Sequence, residues 1–177
     1  RGRFFYYIHR AVHASECWRD ICLSAIMETT TNGEDRDMEI VPTETYSALA
    51  LAEDQKTFVA TPEMIQKNLL RNDTFGFYAL EDGVCFGFAM LRRFAHKEYF
   101  LWEYIVDRKY QGRGRGYLFL TALIRLLYRD YEMRVLWTTY IWGNHAARRL
   151  YERVGFVETD VVEEEDIHEV NMVLRLP

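Results

Sequence analysis

Apolar and polar positions along the chain change period often enough to mark out separate elements. From Met38, "MEIV" reads as a short strand, and "TETYSALALA" opens on Thr43, an N-cap residue type ahead of a helical stretch. "TPEMIQKNLL" repeats the device: Thr61 caps, Pro62 takes the first helical position, and Ile65, Leu69 and Leu70 share a face. Two helices are therefore expected ahead of the main sheet. "TFGFYAL" and "VCFGFAMLRR" are apolar runs joined by "EDG", the turn chemistry of an antiparallel pair. "YFLWEYIVD" is a further strand, "YLFLTALIRLLYRDY" has helical length and pattern, "RVLWTTYI" is a strand, and "NHAARRLYERV" is a helix stopped by Gly155. "FVETDVV" and "EVNMVLRL" close the chain as a strand pair around "EEEDIH". The expected order is β-α-α-β-β-β-α-β-α-β-β, a mixed α/β (α+β) domain over residues 38–177.

Residues 1–37 read differently. Phe5, Ile8, Val12, Trp18, Ile21 and Cys22 form a loose helical stripe, followed by the polar, turn-rich "METTTNGEDRD". This segment is expected to be an extension and linker outside the core, with a docking helix or a partial organelle signal as the competing reading. The 177 residues, 49% hydrophobic and 15% aromatic, suit one domain with a sizeable core. A formal charge of -5 argues against nucleic acid as the partner. Three cysteines with no C-x-x-C pair suggest neither a disulfide framework nor a zinc site, so a cytoplasmic setting without a metal is expected. No run of about 18 apolar residues predicts a membrane span.

The stretch "QGRGRG" could belong to an RNA-binding tail, yet it lies between the end of a strand and the start of an apolar helix. That position sets bare backbone N–H groups at the positive end of a helix dipole, where phosphate oxygens bind. The spacing is neither a dinucleotide G-x-G-x-x-G nor a P-loop. Taken alone, it reads equally well as a flexible turn.

Further along, "NHAARRLYERVGF" combines Asn144, Ala147, Leu150, Tyr151, Gly155 and Phe156. With both motifs in this order, the chain resembles the GNAT superfamily of acyl-CoA N-acyltransferases, in which a Q/R-x-x-G-x-G/A loop binds the CoA pyrophosphate. The stretches "FGFAMLRR", "LWEYIVDRKYQGRGRGY" and "EVNMVLRL" look like bacterial spermine/spermidine acetyltransferases of that superfamily. The resemblance implies a central, mostly antiparallel sheet with a splayed strand pair and flanking helices. It implies acetyl-CoA as co-substrate, with the pantetheine arm added like an extra strand against Tyr104, Ile105 and Val106. Gln111, Gly112, Gly114 and Gly116 would form the pyrophosphate loop, and Arg113 or Arg115 would reach the phosphates or remain solvated. Asn144 would serve the cofactor and cap its helix together.

The resemblance also implies N-acetylation of a primary amine by direct transfer. An amine of pKa about 10.4 must lose a proton and the departing thiolate must gain one. Tyr151 is the implied acid, with a core aromatic as the alternative reading. Glu103 is the candidate for the base, the one carboxylate in an apolar strand. It could equally bind an ammonium, act through water or face solvent, since the neighbouring Trp102 should point to the opposite side. Seven acids between Glu158 and Glu169, among them Glu163 and Glu164, either attract a polycation such as spermine or spermidine or form a solubilising edge. Glu53 and Asp54 carry the same ambiguity. A protein N-terminus, a lysine or an aminoglycoside is the alternative acceptor, a non-catalytic CoA-binding module the alternative role, and a homodimer is compatible with the family.

Overall fold

The computed structural model describes residues 38–164 and 167–177. The expectations for residues 1–37 and for the side chains of Asp54 and Glu164 lie outside the described residues. Seven strands, β1 (Met38–Thr43), β2 (Thr74–Glu81), β3 (Val84–Ala95), β4 (Glu98–Val106), β5 (Val135–Ile141), β6 (Val157–Glu164) and β7 (Ile167–Arg175), form one sheet in the order β1-β2-β3-β4-β5-β7-β6. Among the described residues three α-helices accompany them: α1 (Pro62–Leu69), α2 (Arg115–Asp130) and α3 (His145–Val154). All neighbouring strands are antiparallel except β4 and β5, which run parallel. The mixed architecture, mostly antiparallel with flanking helices, is the one expected.

Local chemistry explains the helices. Thr61 accepts from the Met64 N–H and Pro62 follows it, so α1 begins with one orphan donor satisfied and one absent. Asn144 accepts from the Ala147 N–H at 3.1 Å to start α3, and Gly155, at φ +106°, ends it in the left-handed conformation. α2 buries Phe119, Leu120, Leu123, Ile124 and Leu127, the i, i+4 stripe of a helix lying on a sheet.

The helix expected over residues 43–52 does not form. The segment runs without regular structure into a single 3₁₀ turn, Glu53–Gln55. Its main-chain donors are claimed from elsewhere: Tyr46 N–H by the Gln66 side chain at 2.8 Å, Ser47 N–H by the Tyr78 hydroxyl, Ala50 N–H by Asp107 at 3.2 Å. Thr43, the intended cap, instead exchanges hydrogen bonds with the backbone of Thr45. Tyr46, Leu49 and Leu51 are pressed against a core cluster containing Phe88, Met90 and Ile105. Tertiary partners outweigh helix-propensity differences of at most about 0.7 kcal/mol per ordinary residue.

The sheet separates two cores. Against one face, α2 and α3 pack Phe119, Leu123 and Tyr151 onto Phe77, Ala89, Leu91, Leu136 and Met172. Against the other, Ile65 and Leu69 of α1 meet Phe88, Met90 and Ile105, with Phe100, Trp137 and Val173 forming a smaller cluster beside them. No helix among the described residues is long and apolar enough to cross a membrane.

Two irregularities set the course of β4. Pairing with β5 covers only Glu98–Leu101 against Val135–Thr138, after which the strands part. On the other side, Met90 pairs with Glu103 and Leu91 with Leu101, leaving Trp102 as an extra, bulged residue. The bulge shifts the alternation: Tyr99 and Leu101 face the α2/α3 core before it, Tyr104 and Val106 after it. Trp102 packs toward the opposite clusters, where Ile105 also lies. Glu103, which alternates with Tyr104, therefore shares a face with Trp102, which corrects the expectation that the two point apart.

Gly76 of β2 shows how tightly β1 and α1 close on the sheet. A Cβ there would stand 2.7 Å from Leu69 Cδ2 and 2.8 Å from the Thr43 carbonyl oxygen, a backbone atom that cannot yield. Gly76→Ala should cost about 1–3 kcal/mol by overpacking. Urea denaturation should show a lower midpoint at unchanged slope.

Candidate active site

Where β4 and β5 diverge, a cleft of about 460 Å³ passes through the sheet. At its apex the last shared carbonyl, Leu101 O, accepts from the Thr138 hydroxyl at 3.3 Å. Thr138 is in turn a hydrogen-bond partner of the Tyr151 phenol from α3. Beyond this point β5 no longer covers the rim of β4, so main-chain polar groups from Trp102 to Val106 are within reach of a ligand that can pair like a strand.

One mouth opens toward the helices and is lined by Gly112, Gly116, Asn144, Ala147 and Leu150. α2 starts at Gly114, which is left-handed at φ +77° and has no side chain to cap the helix. The first N–H groups of α2 have no intrahelical acceptor and face outward with the positive end of the dipole. Gly112, at φ +71°, turns the loop just before them, and a Cβ at Gly112 or Gly114 would meet nothing within 4 Å. The local need for glycine is thus conformational, and the space over the amides is open. Tyr104 and Val106 of β4 support the floor, the former donating to Gly116 O at 2.6 Å and stacking on Phe119.

The structure distinguishes the polar residues of the loop. Gln111 lines the cleft, but its side-chain amide donates to Val106 O at 2.7 Å and to Gln55 Oε1 at 2.6 Å, tying the loop to the 3₁₀ turn. Arg115 forms an ion pair with Glu81 on β2 and lies off the cleft lining, while Arg113 is exposed. Arg115 anchors α2 to the sheet, since a guanidinium held by a carboxylate is oriented away from other anions.

The other mouth opens on the far face and is walled by Leu51, Phe58, Val59, Trp102, Glu103 and Glu169. Glu103 is 7% exposed, with Oε2 accepting from the Ala60 N–H at 3.4 Å, so the solvent-facing reading does not hold. Its charge is close enough to Tyr151 to raise that phenol's pKa. Burial is the larger cause: together, opposed by the Thr138 hydrogen bond, they push Tyr151 up to about 12. Tyr151 is therefore a protonated donor across the physiological range. Of the other acids expected near an acceptor, Glu53 is exposed and paired with Lys56, and Glu163 stands exposed on the outer strand β6 opposite His168. Neither lines the cleft.

Sequence reasoning singled out Tyr151, Glu103, Tyr104, Ile105, Val106, Gln111, Gly112, Gly116 and Asn144, and the fold brings all nine to this cleft. It missed the wall from the irregular segment, Leu51, Gln55, Phe58 and Val59, and the β5 residues Thr139 and Tyr140. It also left Glu169 undistinguished within an acidic run. The signal available for Glu169 was its alternation with Val170, Met172 and Leu174, three apolar residues that mark the opposite face of β7.

The description "Acetyltransferase (GNAT) family" matches residues 38–156. Among curated proteins, the spermine/spermidine N(1)-acetyltransferase of Bacillus subtilis strain 168 is 34% identical over 82 residues, 42% of this chain and 54% of that protein. The chain thus spans about half the length of the curated relatives it matches. Among solved structures, a GNAT family acetyltransferase from Elizabethkingia anophelis with acetyl-CoA bound superposes with a TM-score of 0.61 at 17% identity, covering 79% of this chain and 99% of that one. A mutant of the spermidine N-acetyltransferase SpeG from Vibrio cholerae gives 0.60 at 15% identity, over 79% and 94% of the two chains. At these identities the structures establish a shared fold.

Buried phenols give this site a direct spectroscopic test. Burial lifts Tyr104 well above its usual 10, with Tyr151 nearby adding to the shift, and lifts Tyr140 to about 12 with help from the Glu158 oxygen it donates to. Ultraviolet titration should leave Tyr104, Tyr140 and Tyr151 un-ionised at about pH 11, where a free phenol of pKa about 10 has lost its proton. Tyr151→Phe should remove one of these late protons. Because the unfolded chain releases protons in this window that the folded chain keeps, stability should fall as pH climbs from about 10 toward 12.

Proposed function

The chain belongs to the GNAT acetyltransferase family, and from that premise we propose that residues 38–177 are an N-acetyltransferase domain that moves an acetyl group from acetyl-CoA to a primary amine, by direct transfer in a ternary complex. The acceptor is a polyamine, spermine or spermidine, or a similar small amine. The observation that carries this reading is the cleft itself, which joins a phosphate-compatible mouth on one face to a carboxylate-bearing mouth on the other, with Tyr151 between them. Two reactants can enter from opposite sides and meet without exchanging places.

The chain's residues fit such a co-substrate. The amides from Gly112 to Gly116 and the uncapped start of α2 would hold its pyrophosphate. The β4 rim at Tyr104, Ile105 and Val106 would pair with its amide-bearing arm, and the Asn144 side chain, already capping α3, lies at the same mouth. Acetyl-CoA supplies the acetyl group as a thioester. On the chain's side, Glu103 receives the ammonium of the acceptor and takes its proton directly or through water. A carboxylate nine-tenths buried among Ala60, Trp102 and Ile105 is a strong attractor for a cation, because burial lowers the effective dielectric around it. Tyr151 holds a proton at the apex and donates toward the leaving sulfur. With its pKa near 12, the phenol is a weak acid but an always-available donor, and its water-shielded position makes that hydrogen bond count.

Each role has a measurable outcome. Tyr151→Phe should lower kcat by about a hundredfold, within the range for general acids, while acetyl-CoA affinity stays within about twofold because the ring packing persists. In the unchanged enzyme, kcat should show no falling limb below about pH 11, since the proton on Tyr151 is lost only near 12; a basic limb near pH 9 would remove Tyr151 from the acid role. Gly114→Val forces a β-branched residue to φ +77° and sets a side chain over the bare amides. Calorimetry should show acetyl-CoA affinity at least about tenfold weaker, a loss of about 1.4 kcal/mol, with the circular dichroism spectrum retained.

A further inference from the structure

Carboxylates meet the far mouth of the cleft at two separated places. Glu103 projects from β4 beside the apex, and Glu169, near the start of β7, is half-buried on the lining of the same cleft. Strand order sets their backbones apart. Glu169 pairs with Ile141 of β5, and β5 separates β7 from β4. Two strand spacings amount to about 10 Å, and the parting of β4 from β5 widens the gap further. Both acids face away from α2 and α3. On β7, Val170, Met172 and Leu174 fill the helix-side core, so Glu169 shares the opposite face with Asn171 and Val173, and Val173 packs in the cluster that Trp102 borders.

Two carboxylates carried on strands that are not neighbours suit a linear molecule with an ammonium at each end. The wall between them carries Phe100, Trp102 and Thr139, surfaces suited to a methylene chain and, in the indole, to a cation over its face. We propose that Glu169 is the specificity-determining residue for the acceptor: it receives the distal ammonium of a di- or polyamine whose near amine reacts beside Glu103. The inference rests on the amine acetyltransferase reading and goes beyond it by assigning chain length and second charge to one side chain. The exposed acids of β6 do not fill this role. Glu163 stands off the cleft in water, where its field is screened within about 8 Å, whereas Glu169 acts from within a partly dry wall.

The test compares kcat/KM for linear diamines of increasing length with that for a monoamine of matched length, in the unchanged protein, Glu169→Gln and Glu163→Gln. The unchanged protein should favour long diamines over short ones and over the monoamine. Glu169→Gln should cut kcat/KM for the favoured diamine about tenfold or more, through KM, and leave the monoamine within about twofold, which also shows that the variant is folded. Glu163→Gln should leave both within about twofold. Equal loss for diamine and monoamine, an unchanged diamine KM, or no preference in the unchanged protein would each overturn the role of Glu169 while amine acetylation stands. Turnover of no amine at all would overturn the acetyltransferase reading and this inference with it.

Discussion

Parallel pairing between β4 and β5 stops after four residues, and the site exists because it stops there. Had the pair continued past Leu101 and Thr138, the cleft would be closed by ordinary sheet hydrogen bonds. The bulge at Trp102 makes the break useful as well as open. It keeps Tyr104 and Val106 in the helix-side core, which anchors the strand, and turns Glu103 and Trp102 together toward the far face. Thr138 closes the fork by bonding Leu101 O, and Tyr151 meets it there, so the point where the sheet fails is also the point where a proton donor stands.

An open fork needs support from both sides. On the helix side, Phe119 stacks under Tyr104, and the Arg115–Glu81 pair fixes the start of α2 to β2. A partly shielded ion pair of this kind orients more than it stabilises. On the far side, the irregular segment is tied to the loop after β4 by Asp107 to Ala50, by Arg108 to Ala50, and by Gln111 to Gln55. The wall of one mouth therefore stands on the loop that forms the other.

The parts legible in the sequence were those set by local chemistry. Caps at Thr61 and Asn144, the stop at Gly155 and the periodicity of α2 each depend on a few neighbouring residues. The glycines of the loop after β4 were legible because left-handed backbone at Gly112 and Gly114 leaves few alternatives. What could not be read was settled by distant partners. The 44–52 segment lost its helix to Gln66, Tyr78 and Asp107, none of which its own pattern announces. The bulge was hidden because "YFLWEYIV" is apolar at nearly every position, so no alternation existed whose interruption could be seen. Glu169 was hidden in the opposite way, as one acid among many until strand register separated it from Glu163.

A passage through the sheet, rather than a pocket on one side of it, has a further consequence for how such a protein can change over time. The glycine loop and helix start come from one part of the chain, residues 111–116, whereas the far mouth draws on residues 51–59 and on β7. Besides the apex, the two share the hydrogen bond from Gln111 to Gln55. Replacements in the far wall away from Gln55 can therefore be sampled one at a time against an unaltered glycine loop, without a compensating change elsewhere. The two faces of the sheet act as separate inheritances: a glycine loop whose backbone leaves few alternatives on one, a wall of side chains open to revision on the other.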